Sequence, residues 1–167
     1  MVRNVRVFSD YEAALILSYE EEISGEAYFA RLAEFYSGRP SQALLLLGEI
    51  ETCTAAAIRP LLDRHKLATA DPAGLWAIGR AEAEIHNGDT WPTLVAHMVK
   101  KFPDYVEEFE QIERLAPAGD QDLIGVLKAH EVAAIEFARK EADGRPDSLA
   151  PLEAFLAAQD KALTGHA

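Results

Sequence analysis

The stretch that decides the fold is LKAHEVAAIEFARKEADG, residues 127–144. Leu127, Ala134, Phe137 and Ala138 recur at spacings of three, four and seven, so they share one face of a helix. Gly144 is a natural stop, because glycine takes the left-handed conformation that often closes a helix. His130 falls inside the apolar arc and Glu131 lies toward one edge of it. An imidazole and a carboxylate therefore sit where Leu, Ala and Phe make the core-facing stripe.

The same helical period runs outward in both directions. Ser9 and Glu12 have the S-x-x-E spacing of a capping box and predict a helix from Ser9 to about Ser37, stopped by Gly38. A second helix is expected from Pro40–Ser41 to about Lys66, kinked or cut short at Pro60. Asp71 and Pro72 open a shorter helix that ends before Gly88. Beyond DTWPTL (89–94) a fourth reaches about Leu115, with a kink or short break at Pro103. The opening stretch belongs to a fifth, about 121–143, and SLAPLEAFLAAQDKAL (148–163) is a short last helix with Ser148 as its cap. No strand series appears. The simplest architecture is all-α: an antiparallel four-helix bundle over residues 1–167 as one domain, with an extra helix in the second-to-third connection and a short C-terminal helix.

Composition narrows the function classes. The chain has 167 residues, 49% of them apolar and 26% charged, as in ordinary globular proteins. Its net charge of −12 opposes binding to phosphate backbones. No window approaches the ~18 apolar residues of a membrane span, and MVRNVRVFSD at the start has no signal-peptide core. The lone Cys53 rules out an internal disulfide. The expectation is a cytoplasmic, acidic protein that binds neither nucleic acid nor membrane. There is no G-x-G-x-x-G after a strand, no P-loop and no C-x-x-C.

Helical wheels place several acids on the buried arcs. In the first helix Leu15, Tyr19, Ile23, Phe29, Ala30 and Ala33 define the arc, and Glu22 and Glu26 fall within it, whereas Glu20 and Glu21 point to solvent. In the second, Leu44, Leu47, Ala55, Ile58 and Leu62 define it, with Glu51 and Thr54 pointing in. Glu141 and His65 lie in line but near helix ends, where a salt bridge or a dipole contact suffices. Glu107, Glu108 and Glu110 of DYVEEFEQIE read as a solvated acidic face. Arg31 and Arg59 lie off their arcs. Carboxylates from several helices, moved into an apolar interior, cost several kcal/mol each unless something compensates. A metal ion, shared protons, arginines or a wet cavity would each do so. Carboxylate oxygen and imidazole nitrogen suit iron, manganese or zinc.

EISGEAYFARLA (22–33), EIETCTAAAIRPLL (49–62) and HEVAAIEFARKE (130–141) resemble the first, second and fourth helices of the ferritin-like superfamily, which includes the rubrerythrins and the non-haem tRNA hydroxylases. The resemblance spans about residues 9–143. It implies a bundle whose core carries Glu, Glu-x-x-His, Glu and Glu-x-x-His on successive helices. Glu22 matches the first ligand, Glu51 the second glutamate and Glu131 the fourth-helix glutamate. Thr54 and Ala134 stand where the two histidines should be, and the third helix offers no matching glutamate. The set is therefore incomplete for two irons. The expectation is a rearranged metal site drawn from Glu22, Glu26, Glu51, His130 and Glu131, in a metal-binding protein of oxidoreductase type. The alternative is a helical interaction or dimerisation module that has lost its metal. A homo-oligomer is expected in either case, and the substrate stays open. A haem pocket between helices has little support, because the first helix holds no histidine.

Overall fold

The structure, a computed structural model, describes residues 5–164, with side chains described as far as 161. It is all-helical over those residues: α1 (Tyr11–Ala33), α2 (Arg39–His65), α3 (Pro72–Ala83), a 3-10 turn (Glu84–His86), α4 (Trp91–Leu115), α5 (Gln121–Ala142) and α6 (Ala150–Thr164). The shorter helix expected after Asp71 and Pro72 is present as α3. No described helix is long and apolar enough to cross a membrane.

Helix boundaries follow local chemistry, with two corrections to the expected start and end of α1. Asp10, not Ser9, is the N-cap: its carboxylate accepts from the Ala13 amide at 2.7 Å. A carboxylate satisfies a free amide and also opposes the positive helix end, which a hydroxyl does only weakly. The helix ends at Ala33, short of Ser37. Ser41 donates its hydroxyl to the Ala33 carbonyl at 3.0 Å, and Tyr36 swings out to reach the Asp89 carbonyl at 3.0 Å. These contacts tie down the end of α1, and Gly38, at φ 65°, makes the turn into α2.

Of the kink or break expected at each internal proline, the break does not occur: α2 continues past Pro60 and α4 past Pro103. Burial explains the outcome. A proline inside a helix costs about 3 kcal/mol. Ile58, Leu61 and Leu62 beside Pro60 are completely buried, and burying each such side chain contributes about 1.5–3 kcal/mol. Ser148 does not act as a simple cap for α6. Its hydroxyl donates to Glu141 and accepts from Arg39 at 2.6 Å, which pins the 144–149 loop to α2 and α5.

One apolar core draws on all six helices, from Leu15, Leu47 and Ala83 to Met98, Phe137 and Leu152. α1 lies against α2 and α3, α4 against α5, and α5 also against α2 and α6. The α3 crossing is backbone to backbone. A Cβ on Gly79 would sit 1.9 Å from the Ser24 carbonyl oxygen, so only glycine permits it. α1 and α4 barely touch. The space left between them is the cavity described next.

Candidate metal centre

The register that builds the core also delivers the polar groups. Glu22 lies one heptad from Leu15 and from Phe29, Glu51 one heptad from Leu44 and from Ile58, and His130 one heptad from Phe137. A residue at these intervals points the way its neighbours point, and all the named neighbours are buried. Glu22 and His130 are each 2% exposed and Glu131 is 6% exposed, while Glu51 is half-buried.

Together they line a cavity of about 450 Å³ bounded by α1, α2, α3, the 3-10 turn, α4 and α5. One atom each from Glu22, Glu51 and His130 lies within 4.8 Å of the other two. His130 Nε2 is 3.8 Å from Glu22 Oε1 and 3.6 Å from Glu131 Oε2. Both separations exceed hydrogen-bond length, while bonds of about 2.1 Å to one ion would put its ligands at most about 4.2 Å apart. The two histidine separations fall within that limit. Gly25 makes room for Glu51: a Cβ there would lie 2.7 Å from Glu51 Oε2. The wall from α4 is mainly apolar and aromatic, with Met98, Phe102, Tyr105 and Phe109, and also carries His97 and Lys101.

The electrostatics are unresolved by the protein's own groups. Glu22 Oε2, Glu131 Oε1 and His130 Nδ1 are buried without a hydrogen-bond partner among the described residues. Burial first, then the neighbouring Glu51 carboxyl, pushes Glu22 far above the ordinary carboxylate range. Burial and the charge of Glu51 do the same to Glu131. Glu51 rises as well, mainly through burial, although a proton shared with Glu22 holds it down in part. Burial pushes His130 down to about 4, so the ring is neutral near pH 7. The carbonyls of Val126 and Leu127 favour its protonated form, but neither is aligned for a hydrogen bond to Nδ1. A neutral imidazole is the form that binds metal.

No arginine or lysine lies within ion-pair distance of Glu22, Glu51 or Glu131 among the described residues. Arg31 is held by Glu34 and Glu84, and Arg59 by Asp63. Lys101 shares the cavity, but its ammonium lies 3.6 Å from Asp104 and over the Tyr105 ring.

Of the five residues singled out in the sequence, four meet at this cavity and one does not. Glu26 is half-buried in a separate groove with Leu45, Cys53, Leu156 and Asp160. It lies one turn along α1 from Glu22, and that displacement carries it past the seam to the side facing α6. Thr54 is completely buried with its hydroxyl unpartnered, and Ala134 lines the cavity. Cys53 faces the second groove, where burial and the nearby Asp160 and Glu49 raise its thiol above the ordinary range, away from the reactive thiolate.

Three features escaped the sequence reading. Glu108 was assigned to a solvated face but is 2% exposed, because Arg6 from the N-terminal segment covers it with bonds at 2.9 and 2.8 Å. Glu21 is half-buried and lines the cavity, held by the same arginine. His86 and His97 line the cavity too, with ring centroids 4.8 Å apart. The H-x-x-D spacing of His86 and Asp89 was the one available signal.

Comparison with protein-family models, with curated proteins and with solved structures finds no match to this chain.

Proposed function

We propose that the chain is a ferritin-like metal-binding protein, an antiparallel bundle of α1, α2, α4 and α5 whose rearranged site holds one transition-metal ion. Glu22 and Glu51 are its anionic ligands and His130 Nε2 its nitrogen ligand. Glu131, adjacent to His130, is a further ligand or the group that takes and returns a proton. Iron, manganese and zinc all suit this donor set. A bound iron or manganese would supply a one-electron couple and any of the three a Lewis acid. This chain's own contribution is to keep the imidazole neutral and hold the carboxyl groups in one place. The aromatic wall from α4 gives a small-molecule substrate a surface to lie on.

The observation that carries the reading is the convergence of two buried carboxyl groups, the half-buried Glu51 and a neutral histidine, with no arginine or lysine paired to them among the described residues. A dication removes the mutual repulsion and occupies the orphaned oxygens in one step.

Metal analysis of protein purified without chelators tests the proposal. One equivalent of a transition metal, lost in a folded Glu51→Ala variant, supports it. No metal, and a melting temperature unmoved by chelator or by added Fe²⁺, Mn²⁺ or Zn²⁺, refutes it. That second result would leave a helical interaction module built on the same fold.

A further inference from the structure

His86 is the buried group in the cavity wall that the metal reading leaves unused. It ends the 3-10 turn, is 6% exposed, and lines the cavity. Its Nδ1 lies 2.8 Å from Asp89 Oδ2, and the Asp89 amide donates to the His86 carbonyl at 3.0 Å, so a tight turn fixes the pair. The edges of Tyr28 and His97 hold the imidazole plane. A carboxylate at Nδ1 demands a proton on Nδ1. In the neutral ring that leaves a lone pair on Nε2. Nε2 is buried and has no partner among the described residues. A buried acceptor left unpaired is costly, and the protein has nonetheless fixed this one in place beside an aromatic wall.

We propose that His86, oriented by Asp89, accepts a hydrogen bond from a small aromatic ligand that carries a hydroxyl group, a phenol, bound in this cavity. The acceptor selects the donor group. Tyr28, Phe29, Met98 and Phe102 select the flat apolar body. The volume, about 450 Å³, lies in the range that holds small ligands. His86 is thus a positioning and specificity residue. The inference shares the cavity of the proposed metal centre but does not need the ion.

The test uses the metal-free full chain at pH 8, titrated with 4-ethylphenol and with ethylbenzene. The wild type should prefer the phenol. In His86→Leu the ratio of the two dissociation constants should fall about fivefold, the worth of one net hydrogen bond, with ethylbenzene binding kept or improved. An unchanged ratio, or no binding of either compound to the wild type, overturns the proposal. A second readout covers a variant that fails to fold. In ¹⁵N-labelled wild type, the His86 Nε2 resonance should move on adding 4-ethylphenol and stay still with ethylbenzene, and a still resonance with both overturns it. All measurements are metal-free, so they can fail or succeed independently of the metal analysis.

Discussion

Gly25→Ala separates a metal site from a structural cluster with one methyl group. The added Cβ would lie 2.7 Å from Glu51 Oε2 and 3.0 Å from Glu51 Cδ, against an ordinary contact limit of 3.4 Å. The Glu51 carboxyl must therefore retreat by about 0.7 Å, and as the far end of a flexible side chain it can do so at about 0.5–1.5 kcal/mol of rotamer strain. Against that, Gly25 lies in the interior of α1, where alanine is favoured over glycine by about 1 kcal/mol. The two effects nearly cancel, so the metal-free protein should change by no more than about 0.5 kcal/mol in either direction, or about 1–2 °C in Tm for a chain of this length. Metal binding should move the other way. A ligand shifted by that distance loses alignment, and losses of about 10–100-fold in affinity are typical when a ligand's support is disturbed. Differential scanning calorimetry in chelator, paired with equilibrium dialysis against Mn²⁺ or Zn²⁺, reads both quantities. Undiminished metal affinity in the variant would show that Glu51 is not a ligand. A metal-free variant destabilised by more than about 2 kcal/mol would show that the Glu51 carboxyl is held by structural contacts, and the reasoning would fail.

Glu22→Leu should be neutral or stabilising in metal-free protein by urea denaturation, since it removes one of several repelling, desolvated carboxyl groups; a loss of 2 kcal/mol or more would instead reveal a structural hydrogen-bond network. The pH dependence has a defined sign. The folded carboxyl groups of Glu22 and Glu131 keep protons that the unfolded chain releases near 4.5, so their contribution falls as pH rises. His130 works the opposite way only between about 4 and 6.5, where the unfolded chain is protonated and the folded ring is not. Above pH 6.5 the carboxyl groups act alone, so metal-free protein should melt lower at pH 8 than at pH 6.5, and an equal or higher Tm at pH 8 contradicts the assignment. Asp120→Asn should cost about 2 kcal/mol or more in chemical denaturation, because the buried carboxylate receives Tyr11 at 2.9 Å, His65 at 2.6 Å and Arg64. Those partners hold Asp120 below the ordinary carboxylate range, so its contribution should be complete above about pH 4 and fade below it in the wild type alone.

What the sequence disclosed and what it concealed divide along physical lines. Helices are local, and the heptad interval is a property of one helix. Glu22, Glu51 and His130 could therefore be assigned to core faces before any packing was known, and His130 and Glu131 were visible within one quoted stretch. Burial by a distant segment is not local. Glu108 sits off the apolar arc of α4 and is covered by Arg6, 102 residues away, which no wheel of α4 can reveal. Glu26 shows the limit of the wheel itself. It lies on the broad inner arc of α1, but that arc meets two different neighbours, and the one-turn offset from Glu22 moves it from one groove to another. His86 lies in a 3-10 turn within a connection, where no period exists to read. Neither Pro60 nor Pro103 breaks its helix, because a propensity cost is fixed while the burial that offsets it depends on packing.

The same chain treats its other buried acids differently from those of the cluster. Glu108 is 2% exposed and has Arg6 on both oxygens. Asp120 is equally buried and has Tyr11, Arg64 and His65. Glu141, mostly buried, has the Trp91 indole at 3.0 Å, the Ser148 hydroxyl and Arg39 at 3.7 Å. Each desolvated carboxylate is given a cation or donors, as its desolvation cost requires. Among the described residues Glu22 receives no cation, only a proton shared with Glu51, and Glu131 receives neither cation nor donor, although both are buried as deeply and lie near a third carboxyl group. Leucine at position 22 would continue the stripe of Leu15 and Phe29 without that cost. A chain that gives a cation to every other deep acid among the described residues but none to these two, beside a neutral histidine and around a cavity, has the arrangement expected of groups whose partner is a ligand and not a basic side chain.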